Sequence, residues 1–195
     1  MKSVLISIHP KWCELIASGK KTIEVRKTAP KEAPFKAYIY ETYDKKYVDI
    51  GICWGNGKCF EHGCEKVIGE FVCDDIKTYY ADDFVGALDL DGTEITEPKD
   101  GEFAYWIPEE KETCLPYVEI IAYGNGKTLY GWHISDLKIY DKPRDLREFR
   151  KGGFMTEQQW LAALYPNTHC HYEAWAKRYE ITRPPKSWCY VEELL

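Results

Sequence analysis

The amino-acid sequence predicts an α+β fold: a small, mostly antiparallel β-barrel with peripheral short helices and two insertions. Three observations lead there. Short alternating runs rich in β-branched and aromatic residues recur along the chain, as at residues 3–8 and 35–43. The helical stretches between them are brief and bounded by Pro, Thr or Gly. The order strand, helix, strand, strand, then strand, helix, strand, strand suits a sheet built largely from sequence neighbours. The 195 residues fit one domain, 1–195, with insertions at about 44–63 and 150–182.

The first strand is "SVLISI", residues 3–8. A proline and charges follow it at once, so the start reads as a strand rather than a secretory leader. In "HPKWCELIASG", Pro10 suits the first helical turn and Gly19 the position after the last. Trp12, Leu15 and Ile16 share one face of that helix. "KTIEVRK" then alternates, with Thr22, Glu24 and Arg26 on one side and Ile23 and Val25 on the other. A strand over 35–43 precedes the first insertion. Residues 65–80 read as one long strand, with Gly69 marking a bulge or a close backbone approach. Residues 81–112 read as acidic loops with a short helix near 82–87. A helix over 113–126 is capped by Thr113 and stopped by Gly124. Residues 129–143 form a strand closed by Pro143, and "RDLREF" forms a helical turn. Residues 156–166 form a capped helix in the second insertion, and "PPKSWCYVEEL" brings the last strand.

Composition narrows the function. Hydrophobic residues make up 45% of the chain and charged residues 30%, which suits a soluble globular protein able to bury a core. No apolar run approaches the roughly 18 residues of a membrane span. The net charge of −6 excludes a protein that coats nucleic acid non-specifically. That charge is uneven. Residues 1–36 hold eight Lys or Arg against three Asp or Glu, a balance of +5, which leaves −11 for the rest. A basic patch in an acidic body suits selective capture of one anion. The 7 Trp and 15 Tyr suit either an aromatic core or stacking surfaces for bases.

Gly19, Lys21, Glu24 and Arg26 carry the chemistry of the basic stretch. Arg26 offers a planar fork for a phosphate or carboxylate. Glu24 either holds that fork in one rotamer or accepts from the exocyclic amine of cytosine or adenine. Lys21 is flanked by Lys20 and Arg26, and like charges lower a lysine pKa, which suits Lys21 to act as a base with Glu24 as proton shuttle. Gly19 lets a ligand approach the backbone. The plain alternative is an exposed strand face with an i, i+2 ion pair worth under about 1 kcal/mol. For an opposite wall the candidates are Trp12, Trp132, His133 and Ser135, which together offer a stacking ring and polar groups to read a flipped base. A core Trp132 and a surface His133 fit the same pattern. No Ser-His-Asp arrangement, phosphate-binding glycine loop or H-E-x-x-H occurs.

The strand, short helix and G-x-K-x-x-E-x-R run, here Gly19, Lys21, Glu24 and Arg26, resemble the signature of the ASCH domain family, which has a PUA-like fold. "KVIGEFVCDDI" resembles the family's central strand. "YGWHISDLKIYDKP" and "RPPKSWCYVEEL" resemble the closing part of phage and Firmicute ASCH-like proteins. The resemblance covers roughly residues 1–42, 65–80, 113–149 and 183–195 and omits both insertions. It implies binding of RNA or a modified nucleotide. It also implies, through relatives that act on acylated cytidines or RNA, a hydrolase. Those hydrolases use a lysine, a threonine three residues later and a distant glutamate. Lys21 matches the lysine, but Glu24 stands at the threonine position, and the distant glutamate has no placed counterpart.

Eight cysteines, with no secretory leader expected, suggest free thiols or a metal site in a reducing cytoplasm. Cys53, Cys59, His62 and Cys64 place four soft donors within twelve residues, spaced C-x5-C-x2-H-x-C among glycines. That set suits tetrahedral zinc, though it lacks the usual C-x2-C pair. A flexible insertion with buried thiols fits equally. No cofactor is required by any other motif. His169, Cys170 and His171 read as alternating strand residues, a poor set for one metal. Three functions follow: an RNA or nucleotide binder, a hydrolase in the same cleft, or a phage-encoded module that binds a protein through its insertions. For the last, Trp160, Leu161 and Leu164 are the candidate exposed apolar residues.

Overall fold

Alternation and β-branching place β1 (Lys2–Ile8) where expected, and all but its first residue are buried. In this computed structural model the described residues are 1–44, 52–54, 58–60, 63–79, 87–88, 94–95, 110–115, 117–153, 155–164 and 169–192. After β1 come α1 (Pro10–Ala17), β2 (Ile23–Arg26), β3 (Phe35–Glu41), β4 (Ile52–Trp54), β5 (Lys58–Phe60), β6 (Val67–Cys73) and β7 (Ile76–Tyr79). Two short strands, β8 (Ala87–Leu88) and β9 (Glu94–Ile95), precede α2 (Glu110–Thr113), α3 (Tyr117–Gly124), β10 (Leu129–His133) and β11 (Ser135–Arg144). The chain ends with α4 (Glu157–Leu164), α5 (His169–Ala176) and β12 (Trp188–Val191). Among the described residues no helix is long and apolar enough to cross a membrane.

The chain forms two compact units. The first comprises Met1–Cys13, Phe35–Phe71 and Leu137–Leu195; the second comprises Glu14–Pro34 and Val72–Asp136. The first unit is built on a five-stranded sheet in the order β11-β6-β3-β1-β12. β1 runs antiparallel to β12 and parallel to β3. A parallel neighbour requires a crossover, and the segment carrying α1 and β2 supplies it. Leu5, Tyr38, Val67, Phe149, Ile181 and Val191 form the core. The Tyr38 and Phe149 rings meet edge-on with centroids 5.0 Å apart, a favoured arrangement for aromatic pairs.

The second unit carries an antiparallel sheet, β2-β10-β7. Val25, Tyr79, Ile120 and Leu129 pack beside it, flanked by Leu115 and Tyr123. Gly131 is the central residue of β10 because a Cβ there would meet the Tyr79 ring at 2.7 Å.

Helix ends follow the sequence. Pro10 opens α1. Gly19 lies in the left-handed region at φ 72°. Its N–H donates to Ile16 O, and that of Lys20 donates to Leu15 O, both at 2.9 Å. This paired closure satisfies carbonyls at the helix end and turns the chain into β2. "RDLREF" forms a 3-10 turn at Leu146–Glu148, closed by reciprocal bonds between Asp145 and Glu148. Thr156 and Gln159 cap α4 in the same reciprocal way.

Four elements differ from the sequence expectation. The long strand over 65–80 breaks at Asp74 and Asp75 into β6 and β7, which belong to different sheets. The strand over 129–143 breaks at Ile134 into β10 and β11 in the same pairwise manner. Alternation continues across both breaks, so sequence pattern does not reveal that the pairing partner changes. Pro143 lies inside β11 rather than ending a strand, as an edge position permits because its missing N–H leaves no ladder bond unmade. The helix over 113–126 starts at Tyr117, after Thr113 has ended α2, and the left-handed residues past its end are Asn125 and Gly126 rather than Gly124. His169, Cys170 and His171 begin α5 rather than a strand. Of the short helix expected near 82–87, residues 82–86 lie outside the described residues, and Ala87 opens β8.

Gly69 marks a close approach. A Cβ at this position would lie 2.5 Å from Lys138 O on the neighbouring strand. Gly69→Ala is therefore expected to lower the denaturant midpoint, by about 1–3 kcal/mol of stability from overpacking. An unchanged midpoint would show that β6 and β11 have room to separate without cost.

Candidate functional site

The site is assembled within the second unit. The closure after α1 delivers Lys21 to the mouth of β2, and its backbone N–H donates to Leu15 O. Alternation along β2 then sets Glu24 and Arg26 on one face. Thr22 fixes the strand on both sides: its N–H donates to Glu112 O, and its carbonyl accepts from Ile134 N–H.

All three charged side chains are buried: Lys21 is 1% exposed, Glu24 5% and Arg26 8%. Lys21 Nζ lies 3.4 Å from Glu24 Oε2 and donates to the carbonyl of Thr113 at 2.5 Å. Arg26 Nε lies 3.0 Å from Glu24 Oε1, off the line of a hydrogen bond, so this contact is an ion pair. Each oxygen of Glu24 thus faces a different cation. The alternative of a solvated strand face is overturned by this burial. Lys21 is held below the usual lysine pKa, chiefly by burial; Glu24 opposes the shift and Arg26 adds least to it. Lys20, invoked as a cause from the sequence, is exposed.

The other candidates are distributed. Gly19 closes α1, and a Cβ there would meet no protein atom within 4 Å, so within the fold it is the left-handed backbone rather than crowding that favours glycine. Trp132 stands directly opposite Glu24 across β2 and β10 and is fully buried. His133, beside it, is partly exposed, with Nδ1 2.6 Å from Asp74 Oδ1. That contact holds the Asp74 carboxyl below its ordinary pKa. Ser135 Oγ donates to Val72 O at 2.9 Å. Trp12 belongs to the first unit, where Lys11 Nζ lies 4.3 Å from the centre of its ring.

Sequence reasoning missed Thr113 as the Lys21 acceptor, and with it Cys114 and Tyr123. Cys114 takes φ 53° and directs its Sγ to the carbonyls of Lys20 and Lys111, both at 3.4 Å. Tyr123 carries Lys27 Nζ 4.9 Å from its ring centre, and burial raises its phenol pKa. Lys21 and Thr113 are 92 positions apart, a separation over which one sequence carries no pairing signal.

Of the proposed zinc ligands, His62 lies outside the described residues. Cys53 and Cys59 are opposed in the β4–β5 ladder, and Cys64 is half-buried. Among the described residues the cysteines at 13, 64, 73, 114 and 189 form no disulfide. Trp160 and Leu161 are partly buried, and Trp160 packs on Trp175 with ring centres 4.5 Å apart.

The family model described as "ASCH domain" matches residues 6–181, a span that includes the whole Gly19–Arg26 signature. The chain belongs to the ASCH domain family. An ASCH protein of known structure from Zymomonas mobilis aligns with 98% of this chain and 89% of its own, at 18% identity and a TM-score of 0.53. Two single-substitution variants of that protein align similarly. One covers 99% of this chain and 92% of its own at 16% identity and a TM-score of 0.51; the other covers 98% and 89% at 17% and 0.53. At such identities the likeness shows the fold, which is the expected α+β, PUA-like one. No curated protein matches the chain.

In this ASCH chain the signature residues form a charge network that depends on its own members. Removing one partner of a buried ion pair leaves the other charge uncompensated, at about 3–5 kcal/mol. Glu24→Gln is expected to lose stability on that scale in denaturant unfolding, and a loss within error would show that water reaches the network. Lys21 also predicts a pH dependence. Its folded pKa is depressed, so between that value and the unfolded value of about 10.4 the unfolded chain binds the extra proton. Stability contributed at this position rises with pH across that window. The stability of the wild type relative to Lys21→Met should therefore increase toward alkaline pH. A difference that stays constant with pH would refute the depressed pKa.

Proposed function

We propose that this ASCH chain, acting as a single domain over residues 1–195, binds RNA or a modified nucleotide above the network of Lys21, Glu24 and Arg26. The observation that carries the reading is the burial of three charges of mixed sign within six residues, each more than nine-tenths covered. Buried ion clusters contribute little net stability compared with apolar packing, whereas preorganised charges are valuable where a polar ligand must be oriented. Arg26 supplies the fork for a phosphate, Glu24 fixes it, and Lys21 anchors Glu24. His133, partly exposed beside Asp74, is the polar edge reader. Gly19 lets the ligand approach the chain, and Trp132 backs the floor. Ser135 completes the proposed wall. The +5 balance of the first 36 residues, set against a net charge of −6, supports selective over non-specific binding.

A second reading, hydrolysis of an acylated nucleoside or of RNA, is favoured by the depressed pKa of Lys21 and by its bond to Thr113. The hydroxyl of Thr113 and the thiol of Cys114 stand next to that carbonyl in the chain, where the signature itself lacks a threonine. Lys21 would then act as base and Glu24 as shuttle or orienting group.

The test uses one mixture of normal and modified nucleosides and short RNAs, incubated with purified protein and followed by mass spectrometry for retention and loss. Retention of a species by the wild type and its loss in a folded Arg26→Ala variant is the expected result. Consumption of a species that stops in Lys21→Ala would establish the hydrolase reading instead. A mixture unchanged in both respects would overturn both readings.

A further inference from the structure

The five-stranded sheet of the first unit carries a charged groove of about 530 Å³ that contains none of the signature residues. Lys138, Lys142 and Arg144 of the edge strand β11 line it together with Lys36 of β3, and Tyr140 lies among them. Its carboxylates are Glu70 on β6 and Asp141 on β11. Four cations therefore share the groove with two anions, in a chain whose net charge is −6.

Part of this set is already fixed. Glu70 Oε2 accepts from the Tyr140 hydroxyl at 2.5 Å, and Glu70 Oε1 lies 3.9 Å from Lys36 Nζ. Burial and the Glu70 charge raise the Tyr140 phenol pKa, so the hydroxyl keeps its proton and the bond. The Tyr140 ring packs against the apolar core. The guanidinium carbon of Arg144 lies 5.6 Å from the centre of that ring, and its Nε is 3.8 Å from Glu148 Oε2. Lys138 and Lys142 differ from these. Both are exposed, and among the described residues neither ammonium has a hydrogen-bond or ion-pair partner.

Lysines on an edge strand commonly prevent pairing with another strand. That role accounts for Lys138 and Lys142 taken singly. It does not account for a cation over a fixed ring, or for a lysine two strands away, in the same groove. Cations in a row beside an aromatic ring suit a phosphodiester backbone. Lys138 and Arg144 are six positions apart, about 20 Å along an extended strand, which is too far for one phosphate to bridge. Pro143 lies within the edge strand without an N–H, which disfavours a peptide strand as the occupant.

We propose that this groove binds the backbone of single-stranded RNA, with Lys138 and Lys142 taking phosphates beside Arg144 and Lys36. Resting on the RNA-binding reading of the signature, this makes the ligand a strand of several nucleotides whose backbone is held outside the signature.

The full chain is titrated with a fluorescent single-stranded RNA of mixed sequence across a series of salt concentrations, and anisotropy is followed. Lys138→Ala/Lys142→Ala is compared with Lys177→Ala/Lys186→Ala, which removes the same charge from exposed lysines elsewhere. Circular dichroism checks that both variants fold. Each phosphate contact to a single strand contributes about 0.7 to the slope of log affinity against log salt. The groove variant is expected to bind more weakly, with the slope reduced by about 1.4. The control variant should match the wild type, and both variants should retain mononucleotides as the wild type does. RNA binding that survives Arg26→Ala but is lost in the groove variant would support the groove and overturn the signature reading. An unchanged slope in the groove variant, or equal losses in groove and control variants, would overturn the groove and leave the signature reading standing. A wild type that retains a nucleotide but no RNA would do the same, and one that retains neither would overturn both. Tighter capture of a polyglutamate peptide than of RNA would overturn the groove as an RNA site and assign it to a protein partner.

Discussion

The desolvation of Glu24 is the constraint on which the second unit turns. A carboxylate 5% exposed requires positive partners, and the chain supplies one three residues before it and one two residues after it. Neither cation can reach unless the backbone is fixed on both sides. The left-handed Gly19 ends α1 so that Lys21 enters at the mouth of the strand. The antiparallel pairing of β2 with β10 holds the alternation, and the end of α2 presents the Thr113 carbonyl that takes up the Lys21 proton donor. Helix closure, strand register and the small helix are therefore coupled through one ionic group.

The first unit rests on the opposite kind of interaction. Its core is apolar and aromatic, and its close contacts are set by glycine, at Gly69 against β11 and at Gly63 against the end of β3. Glu41 is the exception there. It ends β3, is 1% exposed and accepts the Cys64 N–H at 2.7 Å through Oε2, while Oε1 is buried with no hydrogen-bond partner among the described residues. It shows the same solvation problem as Glu24, but among the described residues no lysine or arginine pairs with it. Two buried carboxylates in one chain thus meet different fates: Glu24 is compensated by side chains already in place, whereas one oxygen of Glu41 is not.

Local features were legible from the residues. Pro10 and Gly19 mark the ends of α1 because one has a fixed φ and lacks a donor, and the other has no Cβ; both effects act within the chain segment itself. The helical turn in "RDLREF" and the capped helix over 156–166 were readable for the same reason. The signature Gly19, Lys21, Glu24 and Arg26 was legible as a unit because its four residues lie within eight positions. What escaped was the identity of the partners in distant pairing. The breaks at Asp74–Asp75 and at Ile134 keep the two-residue alternation and change only the partner strand. Thr113 looked like a helix cap because its real partner is far away in sequence.

The sequence by itself determined where α1 and α4 begin, which charges cluster at the chain start, and the family signature. Those depend on torsional preference, capping and alternation, which act over a few residues. Only the tertiary structure decided that the clustered charges are buried rather than solvated, that Lys21 is anchored by Thr113, and that Glu41 stands beside Cys64. Burial is set by whatever the rest of the chain brings to cover a residue, and a charge is compensated by whichever group arrives nearby. Neither quantity is a property of the residue's own neighbours in sequence.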